Sequence, residues 1–285
     1  MNTAWARLKH KTNWPNLSEA FPAFVHHLPA LASLMGKEFQ SKLDTQSITQ
    51  EQIGVFGLGR LAVEDFLEIV FLAEHGFGTA ALKLLRGLYE RAITAEYISN
   101  NRDEAQRFFD FYLIQSHKLR SRNAQVYKDS DLAAPSEGLS EYNRVKSQFA
   151  IEECPTCGQP RQHGFSKKSL EGIAHEVGEV WKKRDNRPTK DPNQFARAYL
   201  IGAAIPNIHI HASIHSFLSR CTWDGQGHIY FEENQGLETR LALSHAHAMM
   251  TLVLDTQNRF FGLGLDSEIE QICREFEAAW PASAL

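Results

Sequence analysis

Three groupings of polar side chains in this sequence have types and spacings suited to chemistry. Arg86 and Glu90 stand four residues apart in Leu84-Leu85-Arg86-Gly87-Leu88-Tyr89-Glu90, so a helix would set them on one face. On a helical wheel over 79–100, Arg86 falls at the edge of a broad apolar arc, with Glu90 one turn on and just outside it. Such a pair reads in two ways. It is an ion pair that helps pack helices, or it is a half-buried guanidinium that binds an anion while Glu90 orients it or exchanges protons. Glu96 falls inside the arc, where an unpaired carboxylate would be costly, so Arg86 is a partner for either acid. The second grouping is Ile208-His209-Ile210-His211-Ala212-Ser213-Ile214-His215. On a continuous helix His211 and His215 share a face at a spacing that could hold a metal, given a third ligand. No Glu follows His211, as one does in the zinc-protease helix. The other readings are packing or hydrogen-bonded core histidines, and acid–base use of His211. The third grouping is Arg240-Leu241-Ala242-Leu243-Ser244-His245-Ala246-His247.

Cys154-Pro155-Thr156-Cys157-Gly158 is the most specific local motif. Two thiolates three residues apart can share a tetrahedral zinc, and Pro and Gly favour the turn that aims them. A closed structural site needs two further ligands. His163 and His175 are the nearest candidates, and Cys221 or a second subunit could serve instead. A knuckle without metal, or two free thiols, is the alternative. A redox dithiol fits less well, since Gly158, Gln159 and Pro160 follow where a thiolate-stabilising helix N-terminus would be expected. The expectation is one structural zinc held by Cys154, Cys157, His163 and His175.

The Arg240–His247 stretch resembles the ribonuclease motif of the HEPN superfamily of helical toxins and defence proteins. That resemblance implies Arg240 stabilising a charged phosphorane and His245 acting on a ribose hydroxyl or leaving group, without metal. Leu241 stands where those enzymes often carry a polar residue. A second resemblance covers about residues 80–215. Leu84 to Glu90 with Tyr97, the block Asp103-Glu104-Ala105-Gln106-Arg107-Phe108, and Tyr199 leading to Ile210-His211-Ala212-Ser213 look like a widespread uncharacterised bacterial family of helical proteins. Its pattern is an Arg-x3-Glu helix and a later His-x-Ser segment preceded by a Tyr. It implies that Arg86, Glu90 and His211 share one cleft, brings no established activity, and leaves the cysteine turn as an elaboration.

Helical periodicity supplies the elements that must position these residues. Helices are expected over 18–42 (bent near Pro22 and Pro29), 50–74, 79–99, 103–127, 139–149, 166–184, 193–205, 206–220, 237–261 and 266–279. Gly57 and Gly59 weaken the second of these, and close packing of another helix is one reason to tolerate them. His228 to Phe231 could form a short strand. No strand–helix alternation signals a parallel sheet. The expected fold is all-α: a multi-helix bundle of about nine helices in a single domain over 1–285, with a zinc-knuckle-like insertion at 150–165.

Composition narrows the function classes. A net charge of −4 argues against a generally basic nucleic-acid-binding domain. Within 161–190, however, eight Lys/Arg face four Asp/Glu, ending in Lys182-Lys183-Arg184-Asp185-Asn186-Arg187. That cluster reads as a solvated helix end or as a phosphate-binding patch. No apolar run reaches a membrane span, no secretory signal is visible, and four cysteines suit a reducing compartment, so a cytoplasmic protein is expected.

Two functions follow as expectations. One is a metal-independent ribonuclease-like toxin or phage-defence protein, with RNA as partner. Arg86 or Arg240 would bind phosphate, His211 or His245 would act as acid–base, and Glu90 would assist. The other is a non-enzymatic helical interaction module, with a homodimer as its expected assembly, whose zinc knuckle fixes a loop. A metallohydrolase using His211 and His215 is a third.

Overall fold

A computed structural model of the chain describes residues 16–36, 49–126, 138–149, 164–184, 194–211, 214–218, 220–223, 226, 228–231 and 236–280. Asn16 caps the short helix α1 (Leu17–Ala20), whose side-chain oxygen accepts from the Glu19 amide. Phe21 breaks the helix, and α2 (Pro22–Met35) restarts with proline in its first turn, where no amide partner is lost. The bend expected at Pro22 is therefore a full interruption, whereas Pro29 is accommodated inside α2.

Helix α3 (Gln50–Glu74) begins with a capping box. The Gln52 amide donates to the Thr49 hydroxyl and the Thr49 amide to the Gln52 side chain. Gly76, at φ 79°, turns the chain back into α4 (Gly78–Asn100). Only glycine adopts that conformation without strain. These two helices and the long α11 (Gly236–Phe261) form the centre of the fold. Phe66 and Ile69 from α3, Leu85, Leu88 and Ile93 from α4, and Leu243 and Met250 from α11 are fully buried together. Two polar ties join them. Glu96, wholly buried on α4, accepts from the Thr256 hydroxyl at 2.7 Å and pairs with Arg259 of α11. Gln257 of α11 donates to the Val55 carbonyl of α3. The Gln257 side chain fills the space beside Gly59, so that glycine does admit a neighbouring helix.

The remaining elements wrap this centre. Helices α5 (Arg102–Val126) and α6 (Leu139–Phe149) share a small second core of Ile114, Val145 and Phe149. Helix α7 (Leu170–Arg184) starts four residues later than the periodicity predicts, because the Ser169 hydroxyl caps the Gly172 amide. The predicted helix over 193–205 is α8 (Gln194–Tyr199) continued by a π-helical turn, Leu200–Ala204. The predicted helix over 206–220 is two pieces, α9 (Ile205–Ile210) and α10 (Ile214–Leu218). A two-stranded antiparallel ribbon, β1 (Cys221–Trp223) and β2 (Ile229–Phe231), follows, with Cys221 opposite Phe231. Helix α12 (Asp266–Ala279) lies on α2 and α11, and Trp280 closes the chain against Phe21 and Phe24. The described chain is thus helical apart from this ribbon, as expected. No described helix is long and apolar enough to cross a membrane.

Candidate functional site

Arg86 and Glu90 meet as their spacing requires. The Arg86 Nε donates to Glu90 Oε1 at 2.8 Å, and the two side chains are 33% and 41% exposed. The guanidinium uses only Nε in this bond. Among the described residues its two terminal nitrogens take no hydrogen bond, leaving a fork that suits a bidentate anion. Glu96 does not compete for Arg86, since Arg259 and Thr256 occupy it.

Three contacts tie the residues after α7 to α4. The buried Tyr89 hydroxyl donates to the Phe195 carbonyl at 2.8 Å. Gly202, in the π turn, lies on the Tyr89 ring, and a Cβ there would sit 2.5 Å from ring carbon Cδ2. Arg220 donates to the Thr79 hydroxyl at 3.3 Å. Thr79, Arg86 and Glu90 are seven and four residues apart, so they lie in one stripe along α4 with Tyr89 beside it. Gly202 and Arg220 thus meet α4 at Tyr89 and Thr79, which stand on either side of Arg86 in the order of the helix. Helix α9, between Gly202 and Arg220 in sequence, packs on α4. Burial holds the Tyr89 phenol well above its ordinary range, and the nearby Tyr199 and Glu171 add to the effect, so it remains a donor.

The histidines sort differently from the expectation. His211 does not continue a helix: it is the C-cap of α9, in extended backbone at ψ 148°, with its side chain exposed. The shared helical face expected for His211 and His215 is therefore absent, because the helix stops between them. The buried histidine of this segment is His209, inward with Pro206 at a three-residue spacing.

The second pairing separates. Arg240 and His245, five residues apart on α11, point in directions well away from each other. The His245 ring nitrogen Nδ1 is held 3.1 Å from the Leu241 carbonyl, and burial lowers its pKa. His247 is a core residue, 1% exposed, accepting at Nδ1 from the Trp280 indole at 3.2 Å between Phe24 and Phe276. Burial, with His27 nearby, brings its pKa down to about 4.

Of the expected zinc ligands, Cys154, Cys157 and His163 lie outside the described residues. His175 is exposed on α7. Among the described residues no group of three or more His, Cys, Asp or Glu is placed to hold a metal. A surface recess of about 310 Å³ at Thr49, Glu51, Arg102, Asp103 and Gln106 holds none of the candidate site residues, although Asp103 and Gln106 belong to the block 103–108 that carries the family resemblance. Gly202, His209 and Arg220 were not singled out as parts of this region. Gly202 in an apolar run was the one available signal, since Arg220 meets Thr79 across 141 residues of sequence.

A family model described as a family of unknown function (DUF5677) matches residues 52–228, more than half of the chain. The match spans Thr79, Arg86, Tyr89, Glu90, Gly202, His211 and Arg220, together with Cys154 and Cys157. Arg240, His245 and His247 lie beyond it. Comparison with curated proteins and with solved structures gives no match.

Proposed function

This chain belongs to the DUF5677 family of unknown function, and we propose that its working site is the Arg86–Glu90 face of α4, acting as a metal-independent phosphodiesterase on RNA. The observation that carries the reading is the partly exposed guanidinium of Arg86, tied to Glu90 by Nε alone, on the helix against which α9 packs before it ends at an exposed imidazole, His211. A phosphodiester would take the free fork of Arg86, which stabilises the extra negative charge of the phosphorane. His211, with Glu90, would exchange the two protons. The base takes the ribose 2′-hydroxyl proton, that oxygen bonds to phosphorus, the bond to the 5′-oxygen breaks, and the leaving oxygen receives a proton. The products are a 2′,3′-cyclic phosphate and a 5′-hydroxyl. Withdrawal of His247 into the core, and the position of Arg240 and His245 outside the family match, favour Arg86 and His211 over the later pair.

The test is incubation of purified protein with RNA in the presence of a chelator, scored for cyclic-phosphate ends. Cleavage is expected, and its loss is expected in Arg86→Ala and His211→Ala, with His245→Ala active. Intact RNA, together with normal growth on expression, would remove the reading.

One observation favours a second reading. Glu90 already neutralises Arg86, as in a purely packing ion pair. On that reading the chain is a helical interaction module, and a zinc at Cys154, Cys157, His163 and His175 would staple a loop. Arg86→Ala and His211→Ala would then lower the melting temperature and change nothing else.

A further inference from the structure

Among the described residues the outer face of α3 has no partner, yet its pattern is that of a helix seam. Ile53, Gly57, Arg60, Glu64, Leu67 and Phe71 follow one another at alternating four- and three-residue steps, the spacing that keeps side chains in one stripe facing a second helix. The apolar members are open to solvent: Ile53 is 48% exposed, Leu67 51% and Phe71 59%. Arg60 and Glu64 are exposed as well, within a loose 3.8 Å ion pair.

Gly57 adds a second observation. The other two glycines of this helix serve its own chain. Gly54 lies against Ile98 and Phe109, and Gly59 against Gln257. A Cβ at Gly57 would meet nothing within 4 Å. Glycine in a helix interior is disfavoured relative to alanine, and the described residues offer no compensation for it here. A helix approaching from outside would supply one.

The occupant follows from the order of residues. The stripe is symmetric about the level of Ala62: Arg60 and Glu64 are two residues from it, Gly57 and Leu67 five, and Ile53 and Phe71 nine. Under a two-fold axis at that level, an antiparallel copy of α3 would bring each Arg60 opposite a Glu64 and each Leu67 opposite the gap at a Gly57. Each Ile53 would meet a Phe71. Opposite charges and unequal volumes match at every step, as an isologous interface requires. A parallel copy would put like charges together. We propose that the chain forms a two-fold homodimer through antiparallel packing of α3 against α3 of a second copy, with Arg60 and Glu64 setting the register.

Sedimentation equilibrium of the purified full chain is expected to give twice the monomer mass. Arg60→Glu and Glu64→Arg, each alone, place like charges across the axis and should give monomers. Mixed one to one they should recover the dimer, because each variant then meets the opposite charge in its partner. An ion pair confined to one helix gains nothing from mixing. Gly57→Leu fills open space in the monomer, so it should keep the fold by circular dichroism while abolishing the dimer. A monomeric parent chain overturns the proposal, as does a dimer indifferent to all three substitutions or a mixture that stays monomeric.

Discussion

Gly202 lies against the ring of Tyr89, so close that a Cβ at this position would stand 2.5 Å from Cδ2. The contact sits where the π turn packs on α4, and the Tyr89 hydroxyl is spent on the Phe195 carbonyl of the same segment. One glycine and one tyrosine thus hold the whole stretch that leads to His211. Gly202→Val is expected to lower stability by roughly 1–3 kcal/mol through overpacking. Tyr89→Phe should cost about 1–2 kcal/mol through the carbonyl it leaves unpaired. Calorimetric melting of both variants checks this. Unchanged melting in both would mean that the segment is held elsewhere.

The two arginines that pair with acids of α4 should behave oppositely. Arg86 and Glu90 are both more than a third open or close to it, so Arg86→Ala should cost less than about 1 kcal/mol while ending RNA cleavage. Arg259 pairs with Glu96, which is wholly buried, so Arg259→Ala should cost roughly 3 kcal/mol by leaving a buried carboxylate short of its cation. Denaturant titration separates the two. An Arg86→Ala variant as unstable as Arg259→Ala would place Arg86 among the packing ion pairs.

Acid should destabilise the protein through His247. Its pKa falls from 6.5 to about 4 on burial, so the unfolded chain binds a proton that the folded chain refuses. The contribution is complete above pH 6.5 and is lost as pH falls towards 4, and it amounts to roughly 3 kcal/mol. His245 shifts in the same direction. Unfolding free energy measured across this window should therefore slope upward with pH, and His247→Gln should flatten the slope. An equal slope in both proteins would assign it to other groups.

Zinc at about one ion per chain is expected in protein prepared without chelator, by the requirement for four ligands on one tetrahedral ion. Cys154→Ser and Cys157→Ser should each lose it, and so should His175→Ala if that exposed residue of α7 is the fourth ligand. Elemental analysis decides. On the proposed ribonuclease reading, removal of the ion should leave RNA cleavage unchanged.

Long helices with strong apolar periodicity were legible from sequence almost to the residue: 50–74 and 266–279 match α3 and α12. His75-Gly76 marked the end of α3, while the capping box of Thr49 and Gln52 at its start was not singled out. The stretch 193–220 was not legible. A π turn has no compositional mark, and the shared face of His211 and His215 assumed a continuous helix, whereas α9 ends at Ile210. The Arg86–Glu90 pair was visible because it is local. The cation of Glu96 was not, because Arg259 arrives from 163 residues away.

The π turn at Leu200–Ala204 widens one helical turn by a residue. Each residue of an α-helix advances the chain by about 100° around its axis. That turn therefore acts as a phase shifter between Tyr199 and everything that follows. Loss of a single residue from it would leave the composition of the segment almost untouched and still allow a helix. It would also swing Pro206 and His209 off α4 and carry His211 around with them. In this protein the rotational phase of a short, packed segment matters as much as the identity of the side chains it carries.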